Sequence, residues 1–487
     1  MPLESVSRRD FLAASAAGAA LAAMPALAAK PASPNQRLRL GFIGVGGRAD
    51  MHLDSACRLQ KDEKLVEIAT VCDVFNRHRE RAVAKVRDRA GHEPKTTGDY
   101  REILNDPSID AVVIATPDHW HARQTLDALA AGKHVYCEKP MTHTIEEALA
   151  VFRAWQDSGL VMQVGVQSTS LSVWRAINER ICSGGLGKVL QYQTEFFRNS
   201  DVGQWRYYEL TEDMTPRNID WRMFLGTEFS LAPEMPFDRA KFGQWRCYWP
   251  FGSGMFTDLF VHRSTSMLLA TGLRFPGRVV GAGGIYLEYD GRDVPDVATV
   301  VADFPEGVQG LVTATMCCED TPIKQLIRGH YGSVVLGTGE EFSGYDFIAE
   351  RPQVTHDRTY KSEHVEVGKV GNTSLTHFRN FVDAATAGDP SAVNCSPELG
   401  AAAMTIVKLG ARSYREGKVF HFDRDTMSYS DGTNSWADGW EKMSHTGAKP
   451  KHVAGWHAGD RGSLIKPRSY QKLAGPWIDS VDPAASA

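Results

Sequence analysis

From residue 38 to about residue 165, short apolar runs alternate with amphipathic stretches of helical period. Strands are predicted at Leu38–Val45, Leu65–Cys72, Ala111–Ala115 and Lys133–Cys137, with helices over Arg77–Ala90 and after His121. Strands that alternate with helices pair in parallel through right-handed crossovers, so this half reads as an α/β unit on a doubly wound parallel sheet. Past Val166 the rhythm changes. Longer strand-like stretches at Val189–Phe197, Gly277–Tyr289 and Val297–Thr315, with few helices between them, predict an α+β domain with a large mixed, mostly antiparallel sheet. Helical periods at Leu375–Ala387 and Pro397–Glu416 close it. The domains are therefore placed at 37–165 and 166–428. An extension, 429–487, rich in Gly, Ser, Trp and His, is expected to strap over the second domain.

The N-terminus follows a different pattern. Ser7-Arg8-Arg9-Asp10-Phe11-Leu12 leads into an Ala-rich apolar run and then Ala26-Leu27-Ala28, the three parts of a cleavable twin-arginine signal over residues 1–29. That address predicts export to the periplasm, or otherwise beyond the cytoplasmic membrane, with the twin-arginine machinery as a partner. No later stretch approaches the roughly 18 consecutive apolar residues of a membrane span. A length of 487 residues suits two domains. With 54 Lys and Arg against 59 Asp and Glu, the net charge is −5 and no basic cluster stands out, which argues against a nucleic-acid partner. The eight cysteines contain no C-x-x-C pair, so neither a zinc ribbon nor a thioredoxin-type site is indicated.

Gly44-Val45-Gly46-Gly47-Arg48-Ala49 fits G-x-G-x-x-A at a strand-to-helix junction. A turn without side chains lets the backbone approach a pyrophosphate, and the helix start aims its free N–H groups at it. Asp73 ends the second strand, where a carboxylate accepts hydrogen bonds from the adenosine ribose and repels a 2′-phosphate. This favours NAD over NADP, with Arg77 keeping NADP as the minor alternative. Asp73 lies 29 positions after Gly44. The usual spacing is about 20, so an extended helix or a polar loop around Gln60–Lys64 is expected.

Thr116-Pro117-Asp118-His119-Trp120-His121 and Tyr136-Cys137-Glu138-Lys139-Pro140-Met141 follow two of the strands, at ends that face the cofactor cleft of a doubly wound sheet. Farther on, Gly252-Ser253-Gly254 leads to Asp258 and His262. Together with the glycine loop, these motifs resemble the Gfo/Idh/MocA family, named for glucose-fructose oxidoreductase and inositol dehydrogenase, over nearly all of Leu38 to Phe422. The resemblance implies an N-terminal Rossmann domain, a sugar or polyol substrate, a homo-oligomer, and Lys139, Asp258 and His262 as catalytic residues. The expected cofactor contacts are Gly44, Val45, Gly46, Gly47, Arg48, Asp73, Thr116, His121, Glu138 and, through Gly165-Val166-Gln167, Gln167. Ser253 inside the glycine stretch and Arg263 after His262 depart from the family pattern and leave the substrate open.

Oxidising an alcohol sends a hydride to the nicotinamide while the hydroxyl proton goes to a base. Asp258 and His262, four apart, would share one helix face, with the carboxylate orienting the imidazole and the imidazole taking the proton. Lys139 would stabilise charge on the reacting oxygen or share the base role. A metal set of His119, His121 and His262 is the competing reading. It is disfavoured because no carboxylate or Cys sits at ligand spacing and hydride transfer requires no metal. Trp205-Arg206, Trp221-Arg222 and Trp245-Arg246, with Tyr248 and Trp249, form an aromatic and arginine cluster suited to a sugar ring. Arg222, Trp245, Arg246 and Trp249 are its candidate substrate contacts. Export implies a tightly held, internally recycled NAD. Three outcomes stay open: a sugar oxidoreductase, a redox-neutral glycoside hydrolase like family 109, which the chain resembles in fold and export signal, and a nucleotide-retaining binding protein.

Overall fold

The computed structural model describes residues 37–337, 342–350 and 361–432. The twin-arginine segment, and the extension beyond residue 432, lie outside them. The first half runs β1 (Leu38–Ile43), α1 (Gly47–Arg58), β2 (Val66–Cys72), α2 (Asn76–Ala90), β3 (Lys95–Thr97), α3 (Tyr100–Asn105), β4 (Ala111–Ile114), α4 (Asp118–Ala130), β5 (His134–Glu138), α5 (Ile145–Ser158) and β6 (Met162–Gly165). Its sheet has the order β3-β2-β1-β4-β5-β6, with every neighbouring pair parallel. Strand order reverses between β1 and β4, so a crevice opens at their C-terminal ends. α1 is prolonged by a π-turn, Leu59–Glu63. The extra length before Asp73 is therefore helix, and it is anchored where the buried Gln60 side chain accepts the Ile68 N–H. α4 begins at Asp118, ahead of His121, which puts His119 and His121 in its first turns.

The second half contributes α6 (Ser172–Cys182), β7 (Val189–Glu195), α7 (Met255–Asp258), α8 (Phe260–Thr271), β8 (Arg278–Gly284), β9 (Val297–Phe304), β10 (Val308–Thr315), β11 (Gln325–Gly329), β12 (Gly332–Leu336), β13 (Gly344–Ala349), β14 (Glu363–Glu366), α9 (Thr373–Ala387), α10 (Pro397–Glu416), β15 (Phe420–Asp423) and β16 (Ser428–Asp431). Its sheet has the order β14-β13-β12-β11-β7-β10-β9-β8-β15-β16 and is antiparallel except between β7 and β10. The stretch read as one strand to Tyr289 stops at Gly284. Beyond it the N–H groups of Tyr286, Leu287 and Glu288 turn inward to the buried Asp296 carboxylate instead of a neighbouring strand. Residues 297–315 form a hairpin that turns at Gly307.

α10 starts with Ser396 capping Leu399 and is buried along most of its length, packed against β8 on one side and α5 on the other. Gly281 and Gly410 permit that approach, since a Cβ on Gly281 would sit 2.0 Å from the Gly410 carbonyl oxygen. α9 returns to the first sheet. Its Phe378, Phe381 and Val382 share a core with Leu40, Val45 and Tyr136. The nucleotide-side layer is thus completed by residues far beyond 165. Among the described residues, no helix is long and apolar enough to cross a membrane.

Candidate functional site

A cavity of about 690 Å³ lies at the switch point and takes walls from both halves. At one end it is built from main chain. Gly44 has φ +79°, and a Cβ there would sit 2.8 Å from the Thr116 backbone nitrogen, so glycine is what lets the β1–α1 loop close onto the end of β4. At Gly47 the space beside the backbone is open, and at Gly46 a Cβ would meet only the His78 ring at 3.6 Å, leaving the cradle a pyrophosphate needs. Asp73 lines the cavity from the end of β2, accepting the N–H groups of Val45 at 2.8 Å and Phe75 at 2.9 Å, with His78 beside it at 3.2 Å. Burial opposes its charge, but His78 and the two N–H groups outweigh burial and hold the carboxyl below its ordinary value. An ionised acceptor at this place suits ribose hydroxyls, so these residues fit a dinucleotide. Arg77, the residue that kept NADP open, lines the cavity and pairs with Asp213 at 3.0 Å.

The other end is built from side chains. Lys139, at the end of β5, gives its Nζ to both Oδ1 and the carbonyl oxygen of Asp258, each at 2.7 Å. Arg246 Nε reaches the same Oδ1 at 3.0 Å, and the fully buried Trp205 donates its indole N–H to Oδ2 at 2.9 Å. Burial would raise the Asp258 carboxyl, but Lys139 and Arg246 outweigh it and hold it well below the carboxylate range. His262 also lines this end, its ring against Phe196 at 6.1 Å. Burial and then the Lys139 charge push its imidazole well below the ordinary value.

Asp258 and His262 do not share a helix face. α7 ends at Asp258, Leu259 lies between the two helices at φ −116°, and α8 starts at Phe260. The carboxylate is occupied by Lys139, Arg246 and Trp205, so it does not orient the imidazole. Among the expected cofactor contacts, Gly44, Gly46, Gly47, Arg48, Asp73, Thr116, Glu138 and Gln167 line the cavity, whereas Val45 and His121 do not. The Val45 N–H is taken by Asp73. Both His121 ring nitrogens face carbonyl oxygens, of Pro140 at 2.6 Å and Thr116 at 2.8 Å, an arrangement that only the doubly protonated ring satisfies. Burial opposes that charge, yet Cys137 and the two carbonyls raise the pKa, so His121 ties the two cleft loops together.

Glu138 turns its carboxylate to Arg48 at 2.9 Å and His52 at 2.7 Å, and Arg48 reaches on to Gln167 at 3.2 Å. These side chains brace the wall. Of the expected substrate contacts, Trp245 and Arg246 line the cavity, with the guanidinium 4.2 Å from the indole centroid. Arg222 is exposed and does not line the cavity, although Met223 and Phe224 of its short helix do, and Trp249 donates its indole N–H to the Asp293 carbonyl outside it. His119 donates one ring N–H to the Phe224 carbonyl at 2.8 Å, and burial lowers its pKa to about 4. No group of three or more metal-ligating side chains is assembled among the described residues.

Among the cavity residues that the sequence does not single out, Asp118 is the most deeply buried acid. Asp118 opens α4, is 3% exposed, and accepts the Thr257 hydroxyl at 2.9 Å. An acid in the first turn of a helix ordinarily reads as a complement to the helix dipole, so nothing local marked it.

Residues 38–166 match the NAD-binding Rossmann fold of the GFO/IDH/MocA oxidoreductase family, and residues 225–335 match the GFO/IDH/MocA C-terminal domain. An alpha-N-acetylgalactosaminidase of Shewanella oneidensis is 30% identical over 188 residues, 35% of this chain and 39% of that protein. A levoglucosan dehydrogenase of Pseudarthrobacter phenanthrenivorans is 29% identical over 209 residues, 40% and 53% of the two chains. These matches thus span about two fifths to a half of the curated proteins' length. In fold, the chain is similar to a levoglucosan dehydrogenase in complex with NADH and levoglucosan, with a TM-score of 0.57 at 22% identity over 82% of this chain and 100% of that one. An oxidoreductase domain protein from Kribbella flavida gives 0.60 at 20% identity over 79% and 98%. With a dinucleotide cradle inside residues 38–166 and a second match at residues 225–335, the chain carries the NAD-binding Rossmann domain and the C-terminal domain of the Gfo/Idh/MocA oxidoreductase family.

Proposed function

We propose that the protein oxidises a sugar or sugar-derived polyol by hydride transfer, with NAD tightly held and recycled in place. The observation that carries this reading is the anchoring of Lys139. Two donations of its ammonium go to Asp258, which leaves one of its three protons for an oxygen in the cavity beside His262. When bound, NAD accepts the hydride. Lys139 then holds the reacting oxygen and stabilises its developing charge. His262, kept neutral, accepts a hydrogen bond and aligns the hydroxyl. Trp245 and Arg246 offer a ring face and donors for the remaining hydroxyls.

A second reading, redox-neutral glycoside cleavage, is favoured by the similarity to a protein named as an alpha-N-acetylgalactosaminidase. Ordinary two-carboxylate hydrolysis is not supported, because Asp258 is fully engaged by its three partners. Transient oxidation of the ring would replace it. Purified protein without added cofactor, given levoglucosan, glucose, inositol and p-nitrophenyl α-N-acetylgalactosaminide, separates the readings. Standing NADH absorbance supports oxidation, nitrophenol without net NADH supports cleavage, and neither signal from a dinucleotide-loaded protein overturns both in favour of a binding role. The Arg8-Arg9 signal supports export, and cell fractionation tests it. Assembly as a homo-oligomer is part of the same proposal, tested by light scattering.

A further inference from the structure

Two buried ionisable groups lie behind the reacting end without ion-pair partners. Asp118 lines the cavity and, among the described residues, forms no ion pair. Its one side-chain partner is the Thr257 hydroxyl at 2.9 Å. Thr257 in turn accepts the Ser253 backbone N–H at 3.0 Å, and the Ser253 hydroxyl accepts from Lys408 Nζ at 2.5 Å. Lys408 comes from the middle of α10, is 8% exposed, and also has no ion-pair partner among the described residues. Ser253 and Thr257 thus form one turn that separates a buried acid, open to the cavity, from a buried base. Unpaired charges are costly to bury, and replacement by apolar side chains would ordinarily relieve that cost.

The proposed reaction needs a proton acceptor at the cavity. Lys139 is committed to Asp258, and His262 is made a weak base by burial and by Lys139. We propose that Asp118 is the proton acceptor of the hydride transfer, and that Lys408 sets how readily it takes and returns that proton. The inference rests on the oxidoreductase reading above. In the forward step the carbinol C–H bond breaks, and the hydrogen leaves with its electron pair as hydride to the nicotinamide. The O–H bond breaks, the carbonyl forms, and the proton goes to the Asp118 carboxylate, which becomes a carboxylic acid. In the reverse step the acid returns the proton to the oxygen as the hydride comes back.

Burial, with Asp258 adding and Arg246, Lys139 and Thr257 opposing, raises the Asp118 carboxyl to about 7, where exchange at neutral pH is easiest. Burial lowers Lys408 to about 8, with Arg415 adding and Asp118, Glu147 and Glu146 opposing. His143, on the neighbouring loop, is itself pushed well below its ordinary value by burial and by Lys408. The Glu147 carboxylate is engaged by the His143 and Thr144 N–H groups.

The test uses the dinucleotide-loaded full chain and the probe from the four compounds above that wild type turns over fastest. Asp118→Asn keeps the side-chain shape. It is expected to lower kcat by about a hundredfold or more with KM and retained NAD unchanged, and to remove the limb of the pH profile centred near 7. Lys408→Met removes a cation that favours the carboxylate, so the limb should move to higher pH. Thr257→Val should move it the same way and serves as the reporter should Asp118→Asn fail to fold. A wild-type rate and limb in Asp118→Asn would overturn the proposal. So would loss of NAD with the limb intact, which would make Asp118 a cofactor contact. An unmoved limb in Lys408→Met would remove Lys408 from it. Failure of wild type on every probe would instead overturn the oxidoreductase reading, and this inference with it.

Discussion

At the nucleotide end, the cleft is held by main chain: Gly44 closing on the Thr116 nitrogen, and two backbone N–H groups fixing Asp73. At the reacting end it is held by side chains from four separate stretches, with Lys139, Trp205 and Arg246 converging on Asp258. The first construction tolerates most side-chain replacements because the backbone does the binding. The second fails one group at a time, because each partner of a buried carboxylate compensates part of its charge. Retention of the cofactor and turnover of the substrate should therefore be separable by mutation.

Replacing Lys139 with Met gives the sharpest separation. Losing one positioned donor to a developing charge should cut kcat by about 10²–10³ while the protein still purifies with NAD, read by sugar turnover and by the dinucleotide released on denaturation. Loss of NAD in that variant would break the division. Gly44→Ala is the converse. Its Cβ meets backbone and its φ is positive, so stability should fall by more than about 1 kcal/mol and NAD should be lost, measured by Tm and bound-nucleotide stoichiometry.

A smaller effect comes from two buried histidines, His119 and His377, each lowered by burial to about 4. Their unfolded value is about 6.5, so between these values the unfolded chain binds more protons. Their stability contribution is complete above pH 6.5 or so and is lost as pH falls toward 4. Tm should decline across that window and decline less in His377→Gln. A flat profile would show that neither ring is kept neutral by the fold. The smallest effect belongs to Arg222→Ala. An exposed side chain off the cavity should change stability by no more than about 0.5 kcal/mol and leave KM unmoved, in contrast to Arg246→Ala.

The same division decides what could be read from sequence. The parallel sheet and the glycine turn follow from local signals, namely apolar runs, their spacing and residues that permit a tight turn. The reacting end depends on contacts between residues 119, 53 and 12 positions apart in the chain, for which no local pattern exists. The four-residue spacing of Asp258 and His262 suggested a shared helix face, but Leu259 interrupts the helix between them. His121 was expected at the cofactor because its motif follows a strand facing the cleft. Its ring instead turns back to two carbonyls, a choice set by the loop that holds Pro140. Arg222 and Trp249 looked alike with Trp245 and Arg246 in composition, and only the path of the chain between residues 199 and 254 separates them. No local pattern marks Asp118, because its surroundings come from Thr257 and Lys408 in distant segments.

The placement of α9 bears on the order in which the molecule can be made. Phe378 and Phe381 cover β1 and the Tyr136 side of the nucleotide sheet, yet they emerge from the ribosome more than three hundred residues after β1 itself. During synthesis the glycine turn is threaded early, but its apolar backing stays uncovered until nearly the whole chain is out. A fragment that stops before residue 373 would carry every cradle residue and still expose that face to aggregation.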